Sequence, residues 1–182
     1  MKRKLSVILA LVVLLALPLA VTACWEDDEQ FDLTDSAFTS FTAEDYDGKV
    51  INQSALADYK VTMINIWGSF CVPCKTEVPA LAELNAELHD KGFQVIGIPI
   101  DANYNSAADA RQMIAELCAD FRQLKVSNSL RSFVTSAKAV PYTIFVNAEG
   151  KQIGPSYSGA KSKTEWKTLI EKMLQFVDSN AG

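Results

Sequence analysis

The 182-residue chain has a single histidine, His89, and four cysteines, of which only Cys71 and Cys74 are close neighbours. A zinc site normally needs four ligands. With no second Cys or His pair to join Cys71 and Cys74, a metal centre is disfavoured and no cofactor is implied. Basic runs interleaved with aromatics are also missing. Nucleic-acid binding draws most of its affinity from Lys and Arg neutralising phosphates, so no nucleic-acid partner is expected. Only one long apolar run occurs, which excludes a polytopic membrane protein. An apolar content of 49% excludes a disordered one. No internal repeat or second domain is visible.

That apolar run extends from Leu5 to Val21 behind Lys2, Arg3 and Lys4 and ends in Thr22, Ala23 and Cys24. Basic start, apolar middle and small residues at a cleavage point are the order of a secretory signal. An uncleaved anchor is the alternative, but Pro18 and the small residues favour cleavage. Val21-Thr22-Ala23-Cys24 resembles the lipobox of bacterial lipoproteins, which implies a signal peptide over 1–23 and a lipid on Cys24. The rest of the chain then holds 14 bases against 22 acids, a balance of −8. Residues 25–36, WEDDEQFDLTDS, contain six acids and little to bury. Residues 24–37 therefore read as a solvated acidic tether, with a folded domain over 38–178.

Within the domain, the turn Tyr46-Asp47-Gly48 suggests a short hairpin ending at Val50 and Ile51. Val61–Trp67 is almost continuously apolar, as in a central strand covered on both faces. Val78, Leu81, Leu84 and Leu88 form one stripe of a helix that begins near Cys71. Phe93–Ile100 is the next strand. A second helix opens at Ser106, with Ala110, Met113, Ile114, Leu117, Cys118 and Phe121 on its apolar stripe, which makes Cys118 a small core residue. A short helix over 129–136, a hairpin of 142–146 with 151–157, and a helix capped by Ser162 and Glu165 complete the chain. The order implies a three-layer α/β fold with a mixed sheet.

Cys71 and Cys74 stand three apart at a strand-to-helix turn, in Trp67-Gly68-Ser69-Phe70-Cys71-Val72-Pro73-Cys74. A structural bridge would close a loop too short to remove much unfolded-chain entropy, so the spacing favours an exchangeable redox pair. Orphan N–H groups and the helix dipole favour negative charge at a helix start. Cys71 is therefore the expected attacking thiolate and Cys74, one turn in, the resolving thiol. Glu77 shares a helical face with Cys74 and is placed to take its proton. A solvated Glu77 paired with a lysine is the alternative on residues alone. His89 reads as a solvated residue near a helix end.

Trp67 to Cys74 and the following Lys75-Thr76-Glu77-Val78-Pro79 resemble the thioredoxin superfamily, specifically the ResA/TlpA-like membrane-tethered thiol-disulfide oxidoreductases. The resemblance covers about Phe38 to Val177 and implies a thioredoxin-like fold. Asn65 stands where thioredoxin proper carries a buried Asp, while Glu77 sits where the ResA/TlpA-like branch carries a Glu. Ala139-Val140-Pro141-Tyr142-Thr143 resembles the superfamily's cis-proline loop. A trans Pro141 at an edge strand is what the residues alone favour; the resemblance implies a cis bond, with Val140 and Pro141 offering backbone to an extended substrate. Trp67 and Phe70 are expected to be part core and part shield, Trp67 with a substrate contact.

The implied activity is thiol-disulfide exchange on exported proteins, through cytochrome c maturation or support of a methionine sulfoxide reductase. The implied partners are a membrane electron donor of the CcdA/DsbD type and disulfide-containing exported proteins, met by a monomer. A peroxiredoxin-like peroxide reductase is the alternative within enzymes, although the peroxidatic Cys of that group follows a Thr by three residues and Gly68 stands there. A lipoprotein binding module with a fixed Cys71–Cys74 bridge is the non-enzymatic alternative.

Overall fold

A computed structural model of the chain describes residues 31–102 and 107–180. The signal segment, Cys24 and Ser106 lie outside them. The strands are β1 (Leu33–Thr34), β2 (Thr42–Glu44), β3 (Val50–Asn52), β4 (Val61–Trp67), β5 (Phe93–Pro99), β6 (Arg122–Gln123), β7 (Tyr142–Val146), β8 (Gln152–Ile153) and β9 (Tyr157–Ser158). The α-helices are α1 (Val72–Leu88), α2 (Ala107–Glu116), α3 (Asn128–Ser136) and α4 (Lys163–Ser179). Among the described residues, none of these helices is long and apolar enough to cross a membrane.

The main sheet runs β1-β8-β7-β4-β5-β6, with β9 also on β7. β4 pairs parallel with β5 and antiparallel with β7, so it is the central strand, and every residue of it is buried. Because strand side chains alternate between faces, β4 divides its seven residues between two cores. Val61 and Met63 join Leu81, Leu84 and Leu88 of α1 and Trp166, Ile170 and Met173 of α4. Ile64 and Ile66 join Leu130 of α3 and Phe41, Ala43 and Ile51 of the β2–β3 hairpin region. This is the expected three-layer architecture with a mixed sheet. Asn65 and Trp67 share the face of Val61 and Met63, which directs them towards α1.

Leu84 has no exposed surface in this first core. Leu84→Ala is expected to lower unfolding free energy by about 2–5 kcal/mol, the range for a buried leucine truncated to leave a cavity. Urea denaturation checks it.

The fold departs from the expected pattern at three places. It includes residues ahead of Phe38: Phe31 is buried and packs edge-on against Phe176 at 5.8 Å, and Leu33 and Thr34 pair with Ile153 and Gln152. Single apolar residues among the acids of 25–36 thus suffice to dock its end on the sheet edge. The segment after Val146 pairs with β7 as two short strands, β8 and β9, rather than as one. The second helix stops at Glu116. The Cys118 N–H donates to Ala115 O and the Ala119 N–H to Ile114 O, a Schellman closure that places Cys118 at φ 50°. Cys118 is therefore an exposed free cysteine, not the core residue that helical periodicity implies.

Candidate active site

The active-site segment starts where β4 ends. Trp67 O accepts from the Ile100 N–H at 2.9 Å, and the chain then turns through Gly68, Ser69 and Phe70 into α1. Asp101, just beyond β5, ties this turn down. Its Oδ2 accepts from the Ser69 N–H at 2.8 Å and from the Ser69 hydroxyl at 2.5 Å, while its Oδ1 is enclosed without a hydrogen-bond partner. Burial, reinforced by this carboxylate, pushes the nearby Tyr46 hydroxyl well above its ordinary pKa.

Cys71 is the N-cap of α1 and forms a disulfide with Cys74, with Cα atoms 5.2 Å apart. The Cys74 N–H donates to Cys71 Sγ at 3.2 Å, so the sulfur satisfies one of the orphan donors that open a helix. In the reduced protein a Cys71 thiolate would receive that same N–H together with the dipole of α1. Pro73 in the first turn needs no partner of its own. Cys71 is 6% exposed and Cys74 fully buried, an asymmetry that favours Cys71 over Cys74 as the attacking thiol.

The Val140–Pro141 peptide is cis, and the Val140 carbonyl oxygen lies 3.5 Å from Cys71 Sγ. Trp67 is fully buried. Its indole N–H donates to Gln123 Oε1 at 3.0 Å, and Gly97 makes room, since a Cβ there would stand 2.1 Å from that oxygen. Trp67 is thus part of the floor under the cysteines rather than a substrate contact. The exposed aromatic is Phe70, at 65%.

Glu77 is 2% exposed on the α1 face shared with Cys74, not a solvated residue. Its Oε1 accepts from the Lys161 N–H at 2.9 Å and from the Trp166 indole N–H at 2.8 Å. The Asn65 amide lies 3.4 Å from Oε2 and donates to Thr143 Oγ1 at 3.0 Å; Asn65 and Thr143 are cross-strand partners of β4 and β7. Burial raises the Glu77 pKa above the usual carboxylate range, against the opposing pull of these N–H donors and of the Lys161 charge. Glu77 and the buried Cys74 share one face of α1, and the carboxylate is the form that can accept a thiol proton.

The model of the AhpC/TSA family matches residues 34–152. The chain belongs to the AhpC/TSA family. Among curated relatives, the thiol-disulfide oxidoreductase ResA of Halalkalibacterium halodurans is 22% identical over 143 residues, covering 78% of this chain and 76% of the relative. ResA of Oceanobacillus iheyensis is 28% identical over 95 residues, covering 50% of this chain. The match spans only 49% of that relative's length. Among solved structures, a Chlorobium tepidum protein assigned as a thiol:disulfide interchange protein DsbE superposes with a TM-score of 0.65 at 23% identity, covering 80% of this chain and 99% of the neighbour. At that identity the likeness establishes a shared thioredoxin-like fold.

Within this family fold, Cys71, Cys74, Glu77, Val140 and Pro141 are brought together by β4, α1 and the start of β7. Trp166, Lys161, Gln123 and Asp101 complete the setting and carry no motif, while Thr143 closes the cis-proline segment. Trp166 stands among the apolar residues that α4 buries, and nothing in its spacing shows that its indole N–H reaches a carboxylate.

Proposed function

We propose that the protein is an extracytoplasmic thiol-disulfide oxidoreductase that reduces disulfides of exported proteins. In this reading, residues 1–23 are removed and a lipid on Cys24 holds the domain at a membrane. The observation that carries the activity is the Cys71–Cys74 pair at the start of α1, Cys71 capping the helix and 6% exposed, Cys74 fully buried on the helix face that also carries Glu77.

In the reduced enzyme the Cys71 thiolate attacks one sulfur of a substrate disulfide. A Cys71–substrate S–S bond forms as the substrate bond breaks, and a substrate thiolate leaves. Cys74 loses its proton to Glu77 and attacks Cys71 Sγ, closing the Cys71–Cys74 bond and releasing the second substrate thiolate. Two electrons have passed to the substrate, which is now a dithiol. A dithiol donor, a membrane protein of the CcdA/DsbD type in this proposal, reverses the oxidation. Exported apocytochrome c or a methionine sulfoxide reductase are the proposed recipients, and the enzyme acts as a monomer.

The second reading is peroxide reduction, which needs the Cys71 thiolate to reduce a peroxide rather than a disulfide. Gly68 stands three residues before Cys71, where the peroxiredoxin-like arrangement has a Thr. Turnover of insulin disulfides and of hydrogen peroxide, each with dithiothreitol as reductant, separates the readings. Rapid insulin reduction with little peroxide consumption is expected. Peroxide turnover without insulin reduction would end the disulfide reading.

A further inference from the structure

The surface around Cys71 differs in character from the rest of the molecule. Of the four large hydrophobic side chains most exposed among the described residues, two, Phe70 at 65% and Val72 at 73%, flank Cys71 in sequence. Lys75 follows in the first turn of α1, its N–H donating to Cys71 O at 3.2 Å. Lys138 lies two residues before Val140, whose carbonyl oxygen is 3.5 Å from Cys71 Sγ. Both lysines are exposed. Neither forms an ion pair with a described residue, whereas Lys60, Lys91, Lys125, Lys163 and Lys167 all do.

The segments 68–75 and 137–142 contain these two cations and no acid, in a chain whose residues from 24 onward sum to −8. Of the carboxylates nearest in the fold, Asp101 is engaged by Ser69, Glu77 is buried and accepts from Lys161 and Trp166, and Asp120, next to the Ala119 that packs against the cysteines, is one exposed acid that the two lysines outnumber. Exposed charges are screened over about 8 Å at physiological ionic strength, so a segment docking at Cys71 meets these lysines more strongly than the acids elsewhere on the surface.

We infer that the site selects disulfides carried on segments with apolar residues beside the cysteine and acidic residues just beyond. This rests on the thiol-disulfide exchange proposed above and adds the substrate class. Phe70 and Val72 receive the apolar neighbours, since exposed apolar side chains gain from leaving water on binding. Lys75 and Lys138 attract the acidic ones, an effect that acts chiefly on the encounter rate.

The test uses the reduced full chain and three synthetic cystine peptides of equal length, with leucine beside the cysteine and Glu, Gln or Lys beyond it. At low ionic strength the Glu peptide is expected to react about tenfold faster than the Lys peptide, within the range of electrostatic steering, with the Gln peptide between. The gap closes in 1 M salt, and Lys75→Glu with Lys138→Glu inverts the order. Equal rates for the three peptides, or an order unchanged by the double substitution, would overturn the inference while leaving exchange intact. Failure of all three to react would instead remove the proposed activity beneath it.

Discussion

Cys71→Ser is expected to reduce insulin-disulfide turnover by about three orders of magnitude or more, the scale of losing a nucleophile. A serine hydroxyl at this N-cap still accepts the Cys74 N–H, so the helix start survives. It does not ionise near neutral pH and cannot form a disulfide. Cys74 does not replace it, because it has no exposed surface. Cys118, although exposed, stands at the end of α2 with no resolving cysteine paired to it among the described residues, so Cys118→Ser should leave turnover near the parent value. The paired result assigns the chemistry to the α1 cysteines rather than to whichever thiol solvent can reach.

Glu77→Gln is expected to slow resolution of the mixed disulfide by about a hundredfold near pH 7, the lower end of what a positioned acid or base contributes. Parent activity should rise as pH passes upward through the raised Glu77 pKa, because the carboxylate is the form that accepts the Cys74 proton. The Gln variant should lack that limb and rise only with the thiols' own ionisation. Its stability should move oppositely. A carboxyl whose folded pKa exceeds its unfolded value contributes stability fully present below the unfolded value, lost as pH climbs through the folded one. Glu77→Gln removes that loss, so the variant should melt above the parent at pH 8, with the difference shrinking towards pH 4. The glutamine can be housed: its Oε1 takes the Lys161 and Trp166 N–H groups, and Asn65, whose Oδ1 has no partner, can turn its amide to accept from the new Nε2–H. Calorimetry and stopped-flow exchange across pH check both halves.

The parts of this site legible in the sequence are those set by local chemistry. Cys71 and Cys74 are spaced by about one helical turn with Pro73 between them, and the nearly continuous apolar run before them reads as a covered strand, so a thiol pair at a strand-to-helix turn follows directly. Glu77 shares that face by helical period, yet its burial depends on Trp166 and Lys161, more than eighty residues away. Those contacts exist because α1 and α4 pack on the same face of the sheet, which no local pattern records. Cys118 misled for the opposite reason. The apolar period continues past Glu116, but a backbone closure ends the helix and turns the side chain outward. At the amino end, Phe31 and Leu33 are too few among acids to register as structure; β8 supplies the unpaired edge that holds them.

The central claim is that Cys71 receives the substrate sulfur and Cys74 resolves the adduct. The direct measurement is mass spectrometry of the reduced Cys74→Ser protein after reaction with a cystine peptide. One peptide per chain, attached at Cys71, is the expected result. Adducts at Cys118 with Cys71 unmodified, or no adduct at all, would contradict the account.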